Sequence, residues 1–289
     1  MKVERFCAPQ TIDEAVALLA AQRGSFALGG GTDLLVQMRS RAKDPRAIID
    51  LKRIAGMQGV EITATGAHIG AATSCHTLGS NAELARIWPG LMEAATLIGS
   101  KQVQGRASLG GNLCNASPAA DSVPALVVNR ATAQIAGPDG TRSVAVEDFC
   151  TAPGQTVLGA GELVHALLLP LPAARSADAY LRFIPRSEMD IAVVGAAVSL
   201  TLDGSGRCVA ARVALGAVAP TVLLVPAAAA ALVGSSLEGE ALAACVAAVR
   251  AAARPITDRR GTADFRRHVA GVLVRRAIAI AARRVAARS

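Results

Sequence analysis

The sequence predicts an α+β protein of two domains: a two-part N-terminal domain, then a small antiparallel sheet with a helical C-terminal bundle. Three observations carry that expectation. The chain has 289 residues, more than the ~100–200 of an ordinary single domain. Its hydrophobic pattern passes from alternating short strands and helices to two-residue β alternation, and late in the chain to long Ala-rich helical runs. The segment Pro170-Leu171-Pro172, followed by Ala, Arg and Ser, interrupts that pattern and sets the domain boundary at residue 173.

The first part, about residues 1–56, reads as a small α/β unit. Residues 11–21 form a helix with Thr11 as N-cap, Glu14 as its capping-box partner, and Ala15, Leu18 and Leu19 as an apolar stripe. A strand over Ser25–Leu28 runs into Gly29-Gly30-Gly31, a short helix follows over residues 32–38, and Ala47–Asp50 is a third strand. The second part, 57–173, opens with β-branched alternation at Val60–Thr63 and again near Ile69. It continues as a helical run over 77–98 interrupted at Pro89, then a glycine- and serine-rich loop over 105–117. Strands return at 133–136, turn through Gly137-Pro138-Asp139-Gly140 into 142–146, and end at 167–171. In the second domain, 174–289, strands are expected at 179–184, 191–202 and 208–215, the last two joined through Asp203-Gly204-Ser205-Gly206. An amphipathic helix over 237–253 precedes a long one over 263–288 with one apolar and one basic face.

Hydrophobic residues make up 52% of the chain, yet no window offers the ~18 uninterrupted apolar residues of a membrane span. The most apolar stretch, 218–233, contains Pro220 and Pro226 and reads as strand, turn and short helix. The charged N-terminus, Met-Lys-Val-Glu-Arg-Phe, is unlike a signal peptide, so a cytoplasmic address is expected. The six cysteines and four histidines are scattered without metal-ligand spacing, and no metal site is expected. Net charge is +8, but it belongs to the tail, where eleven arginines face only Asp258 and Asp264 beyond residue 249. Aromatics are 2% of the chain and none interleaves the arginines as a base-stacking surface would, so nucleic acid is not the expected partner. A solvated helix face and an interface for an acidic partner both fit the tail.

Two constellations carry chemistry. The first is Leu28-Gly29-Gly30-Gly31-Thr32-Asp33-Leu34, a strand that delivers three glycines to a helix start. Backbone amides there can approach an anion closely, and a diphosphate would fit. An ordinary strand-to-helix turn has the same composition, and this motif alone does not separate the two. It is neither a Walker A loop nor a G-x-G-x-x-G fingerprint. The second is Ser108-Leu109-Gly110-Gly111-Asn112, continued by Leu-Cys-Asn-Ala-Ser-Pro-Ala-Ala to Asp121. Two more glycines sit there among small hydroxyl and amide side chains, with an aspartate able to accept hydrogen bonds from a polar ligand.

Taken together, and followed by Arg186-Ser-Glu-Met-Asp190-Ile191-Ala-Val-Val-Gly and by Arg259-Arg-Gly-Thr-Ala-Asp-Phe-Arg-Arg-His, these motifs resemble the FAD-binding medium subunit of the xanthine dehydrogenase and carbon monoxide dehydrogenase family. The resemblance covers nearly the whole chain. It implies a PCMH-type FAD-binding domain over 1–173 and a CO dehydrogenase flavoprotein-like C-terminal domain over 174–289. It further implies that Leu28, Gly29, Gly30, Gly31, Thr32, Asp33 and Leu34 wrap the FAD diphosphate, that Ser108, Leu109, Gly110, Gly111 and Asn112 form a second FAD loop, and that Asp121 binds the cofactor. Arg182 stands where several relatives place a flavin-contacting lysine, and Ile191 where some carry an aromatic toward the isoalloxazine. Lys101-Gln102-Val103-Gln104 departs from the usual Ile-Arg-Asn run before the second loop.

The implied activity is that of an oxidoreductase subunit without a catalytic acid or base. Electrons come from iron–sulfur (2Fe-2S) clusters of a small subunit, after hydroxylation at a molybdopterin cofactor in a large one, and leave from FAD to an external acceptor. The implied assembly is a dimer of heterotrimers. A stand-alone flavin reductase acting on UDP-N-acetylenolpyruvoylglucosamine is the alternative, since its first loop, Gly-Gly-Gly-Ser-Asn, is similar to Gly29-Gly30-Gly31-Thr32-Asp33. A basic nucleic-acid scaffold is the more distant one.

Overall fold

In a computed structural model, which describes residues 3–288, the chain opens with a parallel sheet of β1 (Arg5–Cys7), β2 (Ser25–Leu28) and β3 (Ala47–Asp50) in the order β1-β3-β2. Parallel strands need crossovers, and α1 (Ile12–Ala21) and α2 (Leu34–Arg39) supply them. Thr11 caps α1 by accepting the Glu14 amide at 3.2 Å. The Glu14 carboxylate returns to the Gln10 amide at 2.8 Å, one residue before the expected partner of a capping box.

A five-stranded antiparallel sheet follows in the order β4-β5-β10-β6-β7. Its strands are β4 (Val60–Thr63), β5 (Gly66–Gly70), β6 (Thr132–Gly137), β7 (Gly140–Ala145) and β10 (Leu163–Pro170), with the small pair β8 (Cys150–Ala152) and β9 (Gln155–Thr156) beside them. Between β5 and β6 run α3 (Cys75–Gly79), α4 (Ala82–Ile87), α5 (Pro89–Thr96), α6 (Lys101–Gln104), α7 (Leu109–Cys114) and α8 (Ser122–Val128), and α9 (Val146–Phe149) follows β7. The two parts share a core, since Ala15, Ala47 and Ile49 pack in one cluster with Ile69, Leu91, Leu126 and Leu167, while Leu28, Met38 and Ile48 form a small cluster within the first part alone.

The expected loop over 105–117 holds α7 instead. Ser108 caps it through the Gly111 amide at 3.0 Å, while Leu109 and Leu113 anchor it in the core. A cap and two buried leucines therefore outweigh two glycines that disfavour helix. The helical run expected over 77–98 breaks at Pro89, where α5 starts, as expected, and once more at Asn81, which caps α4.

The second domain is the antiparallel sheet β11 (Ser176–Phe183), β12 (Val194–Leu202), β13 (Cys208–Gly216) and β14 (Leu223–Leu224), then α10 (Pro226–Leu232), α11 (Gly239–Ala252) and α12 (Ala263–Ala287). This sheet is a partition. One register row, Tyr180, Ala197 and Ala214, joins the N-terminal core; the adjacent residues Ala179, Val198 and Leu215 pack with Val269, Leu273 and Ala277 of α12. Alternation of side chains across a strand produces that division.

Charged groups fasten the partition. Asp178, buried on β11, accepts the Gly90 and Leu91 amides at the start of α5, both at 3.0 Å, and the Asn129 amide at 2.7 Å. Gly90 is required there, since a Cβ would meet the Ala179 backbone at 2.7 Å. From the other side Arg284 donates to the Asp178 carbonyl at 2.7 Å and pairs with Glu93 of α5. Several tail arginines thus serve as internal ties.

Candidate functional site

The β2–α2 connection and the start of α7 meet face to face. At Gly30 the meeting is backbone on backbone, for a Cβ would lie 1.7 Å from the Arg106 carbonyl oxygen. Gly31 has φ +81, a left-handed conformation that L side chains rarely adopt. Gln37 of α2 donates to Asn115 after α7 at 2.8 Å, tying the two segments together. Gly110 has a different reason for lacking a side chain: a Cβ there would meet the Ala71 carbonyl at 2.5 Å. It is a packing glycine on the side away from the opening.

Between these segments lies a cavity of about 780 Å³, lined by Leu28, Gly29, Gly30, Gly31, Thr32, Asp33 and Leu34 on one wall and by Ser108, Gly111 and Asn112 on another. Gly159, Gly161 and Glu162, just before β10, add a third wall, and Ser25 and Phe26 of β2 a fourth. Among the described residues, the backbone amides from Gly29 to Leu34 donate to no acceptor within the chain. Lys52 donates to the Gly29 carbonyl at 2.9 Å and to Asp50 at 2.5 Å, fixing the end of β2 against the end of β3. Asn112 uses its carbonyl oxygen on the Ser122 amide and hydroxyl, at 3.2 and 2.7 Å, which binds α7 to α8.

Charges along the cavity are few. Burial raises the Asp33 carboxyl, and Lys43 nearby offsets part of that. Glu162 is held below its ordinary range, chiefly by its bidentate pair with Arg142 at 2.7 Å. Cys114, also on the lining, is pushed up to about 12, first by burial and then by Cys150, so it stays a thiol at neutral pH. Among the described residues no group of His, Cys, Asp or Glu is placed to hold a metal, and no helix is long and apolar enough to cross a membrane.

Asp121 and Arg182 lie elsewhere. Asp121, 8% exposed, accepts the Tyr180 hydroxyl and the Arg182 guanidinium, both at 2.8 Å, and the trio sits in the wall between the domains rather than on the cavity lining. Burial raises the Asp121 carboxyl, opposed by Arg182 and the hydrogen bonds. Leu109 is buried beneath α7, and Ile191 is 52% exposed on the loop between β11 and β12. Sequence reasoning thus assembled two walls of the cavity and missed the others, along with Lys52, Gln37 and Tyr180. The parallel pairing of β2 with β3 brings Lys52 to Gly29, and no local motif encodes that pairing.

The donor set suits FAD. A run of amides without acceptors matches a diphosphate, and the cavity falls within the ~300–1,000 Å³ of cofactor and ligand pockets. The comparisons agree. Residues 1–172 match the family described as "FAD binding domain in molybdopterin dehydrogenase", and residues 179–281 the "CO dehydrogenase flavoprotein C-terminal domain". The carbon monoxide dehydrogenase medium chain of Afipia carboxidovorans is 36% identical over 93% of both chains. A putative xanthine dehydrogenase FAD-binding subunit of Escherichia coli K12 is 30% identical over 93% of this chain and 92% of its own. Among solved structures, reconstituted CO dehydrogenase from Oligotropha carboxidovorans superposes with TM-score 0.93 at 34% identity, over 97% of this chain and 98% of that one. Quinoline 2-oxidoreductase from Pseudomonas putida 86 does so with TM-score 0.90 at 29% identity, over 98% and 99%. With a likeness that runs through both domains, the chain belongs to the family of FAD-binding medium subunits of the molybdenum hydroxylases.

Proposed function

We propose that this oxidoreductase subunit holds FAD in the cavity between the β2–α2 connection and α7, and relays electrons from iron–sulfur clusters of a small subunit to an external acceptor. A molybdopterin-binding large subunit hydroxylates the substrate in this reading, within a dimer of heterotrimers. The observation that carries it is the row of acceptor-free amides from Gly29 to Leu34 on the cavity wall.

Each group has a part. The amides of Gly29, Gly30, Gly31, Thr32, Asp33 and Leu34 hold the diphosphate, and Ser108, Leu109, Gly110, Gly111 and Asn112 shape the opposite face, Leu109 and Gly110 from beneath. Lys52 keeps the Gly29 carbonyl turned to its own ammonium, which fixes the direction of the peptide. Asp121 and Arg182 act on the cofactor from the wall, where Tyr180 orients the carboxylate. Bound FAD supplies acceptance of electrons singly and their release as a pair. No side chain of this subunit is assigned a proton transfer.

The test uses the assembled complex with the iron–sulfur partner reduced beforehand and freed of reductant. The visible flavin absorbance of this chain should bleach in the wild-type complex, whereas a complex freed of FAD through Gly30→Ala should pass no electrons to the acceptor. Transfer to the external acceptor at the wild-type rate in that flavin-free complex would contradict the proposal.

A further inference from the structure

Helix α12 and the segment before it carry the chain's positive charge, and the structure divides those arginines into two sets. Arg266 is buried and donates to the Val193 carbonyl at 2.9 Å and to Asp258 at 2.6 Å. Arg267 reaches Asp264, Arg284 reaches Glu93, Arg288 reaches the Ser176 carbonyl, and Arg260 lies 3.7 Å from Asp190. Arg276 and Arg283, like Arg259 and Arg275, are exposed and have no hydrogen-bond or ion-pair partner among the described residues.

Of these, Arg276 and Arg283 stand two turns apart on one helix face and flank an open groove of about 360 Å³. Leu181 of β11 and Leu273 and Ile280 of α12 give the groove an aliphatic lining. Arg182 also contributes to the lining, but its guanidinium is turned to the other face of β11, where Tyr180 lies. The Arg182 side chain is 6% exposed, commits Nη1 to Asp121, and leaves its buried Nε with no acceptor. No acidic residue lines the groove. Two unpaired guanidinium groups flanking an apolar surface repel one another until an anion arrives, and a planar guanidinium binds a carboxylate through two parallel hydrogen bonds.

We propose that this groove docks an acidic segment of a partner subunit, a carboxylate side chain seated between Arg276 and Arg283 with an apolar neighbour on Leu181, Leu273 and Ile280. Arg276 and Arg283 line the groove and not the 780 Å³ cavity, and neither has a part in holding FAD, so replacing them tests docking separately from FAD binding. The proposal rests on the reading of this chain as one subunit of a complex.

The full chain, tagged and co-expressed with its partner subunits, provides the test. Arg276→Gln/Arg283→Gln should weaken partner affinity about tenfold, as loss of rim charges that meet an opposite charge does, and should lower the salt concentration at which the complex separates. Flavin content and thermal midpoint of the free chain should not change. In a second variant, Arg276→Lys/Arg283→Lys, a water-soluble carbodiimide activates a neighbouring carboxylate. The lysine amine then attacks that carbon, forming an amide and releasing the carbodiimide as its urea. Peptides joining position 276 or 283 to an Asp or Glu of a partner subunit are the expected product. A complex of unchanged affinity and salt tolerance, or cross-links confined to this chain, would overturn the docking proposal while leaving the subunit reading intact. A chain that carries flavin and purifies with no partner at all would overturn both.

Discussion

The cavity and the partition wall between the domains are built from similar residues and satisfy them in opposite ways. Along the wall every strong acceptor is used: Asp178 takes three donors, and Asp121 takes a hydroxyl and a guanidinium. Along the cavity a row of donors from Gly29 to Leu34 has no acceptor among the described residues. The wall fills the acceptors of its two buried aspartates from within the chain, whereas the cavity leaves its backbone donors open to a ligand. The difference separates residues that a motif groups together. Asp121 follows closely on the Ser108-to-Asn112 motif, yet it reaches across to the other domain while its neighbours line the cavity.

Substitutions in the two regions should therefore fail in different ways. Asp178→Ala orphans three buried donors at ~1–3 kcal/mol each, less what water recovers, so a loss on the order of 3–5 kcal/mol is expected. Urea unfolding followed by the fluorescence of Trp88, the chain's only tryptophan and fully buried, should show it. FAD affinity of the folded fraction should change little. If Asp178→Ala abolished FAD binding in a folded chain, the wall would not be separable from the cavity.

Gly30→Ala places a methyl group 1.7 Å from a backbone oxygen. The loops must part, at a cost of about 2 kcal/mol or more for overpacking, which corresponds to roughly 30-fold weaker FAD. Calorimetric titration would read the loss, with a smaller change in unfolding midpoint than Asp178→Ala gives. Tyr180→Phe removes one donor from Asp121 and should cost ~1–2 kcal/mol of stability.

The wall also has a pH signature. Burial raises the Asp121 and Asp178 carboxyls above their ordinary value of 3.8. A raised acid binds its proton more readily folded than unfolded, so its contribution is complete below 3.8 and is lost as pH climbs through the folded value. Stability from this source should fall from about pH 4 upward, and Asp121→Asn should show a shallower fall over the same interval. An unchanged slope would mean that Asp121 does not titrate differently in the fold. The smallest effect is expected at Ser108→Ala, where loss of the α7 cap should cost ~1 kcal/mol and weaken FAD only in proportion to fraying of that helix.

Much of this arrangement was legible in the sequence where a local rule governs it. Thr11 and Glu14 announced α1, β2 and β3 were bounded as observed, and two glycine motifs pointed at two walls of one cavity. Helix α8 was not legible: all seven of its residues are buried, so it has no polar face to reveal a helical period, and Pro124 sits in its first turns. The ties made by Lys52 to Gly29, Asp178 to α5 and Arg284 to Glu93 were equally hidden, because each depends on a pairing of elements distant in the chain. The basic tail shows the same limit. Composition offered a solvated face or a partner surface, and the fold adds a third use, the internal ties of Arg266, Arg284 and Arg288.

The claim that the acceptor-free amides exist to hold a diphosphate is tested most directly by titrating the flavin-free full chain with FAD and, separately, with riboflavin, which has the same ring system and no phosphate. The account predicts a single FAD site and riboflavin binding at least about 100-fold weaker, the ~3 kcal/mol expected for losing charge-assisted hydrogen bonds. Equal affinity for the two would contradict it.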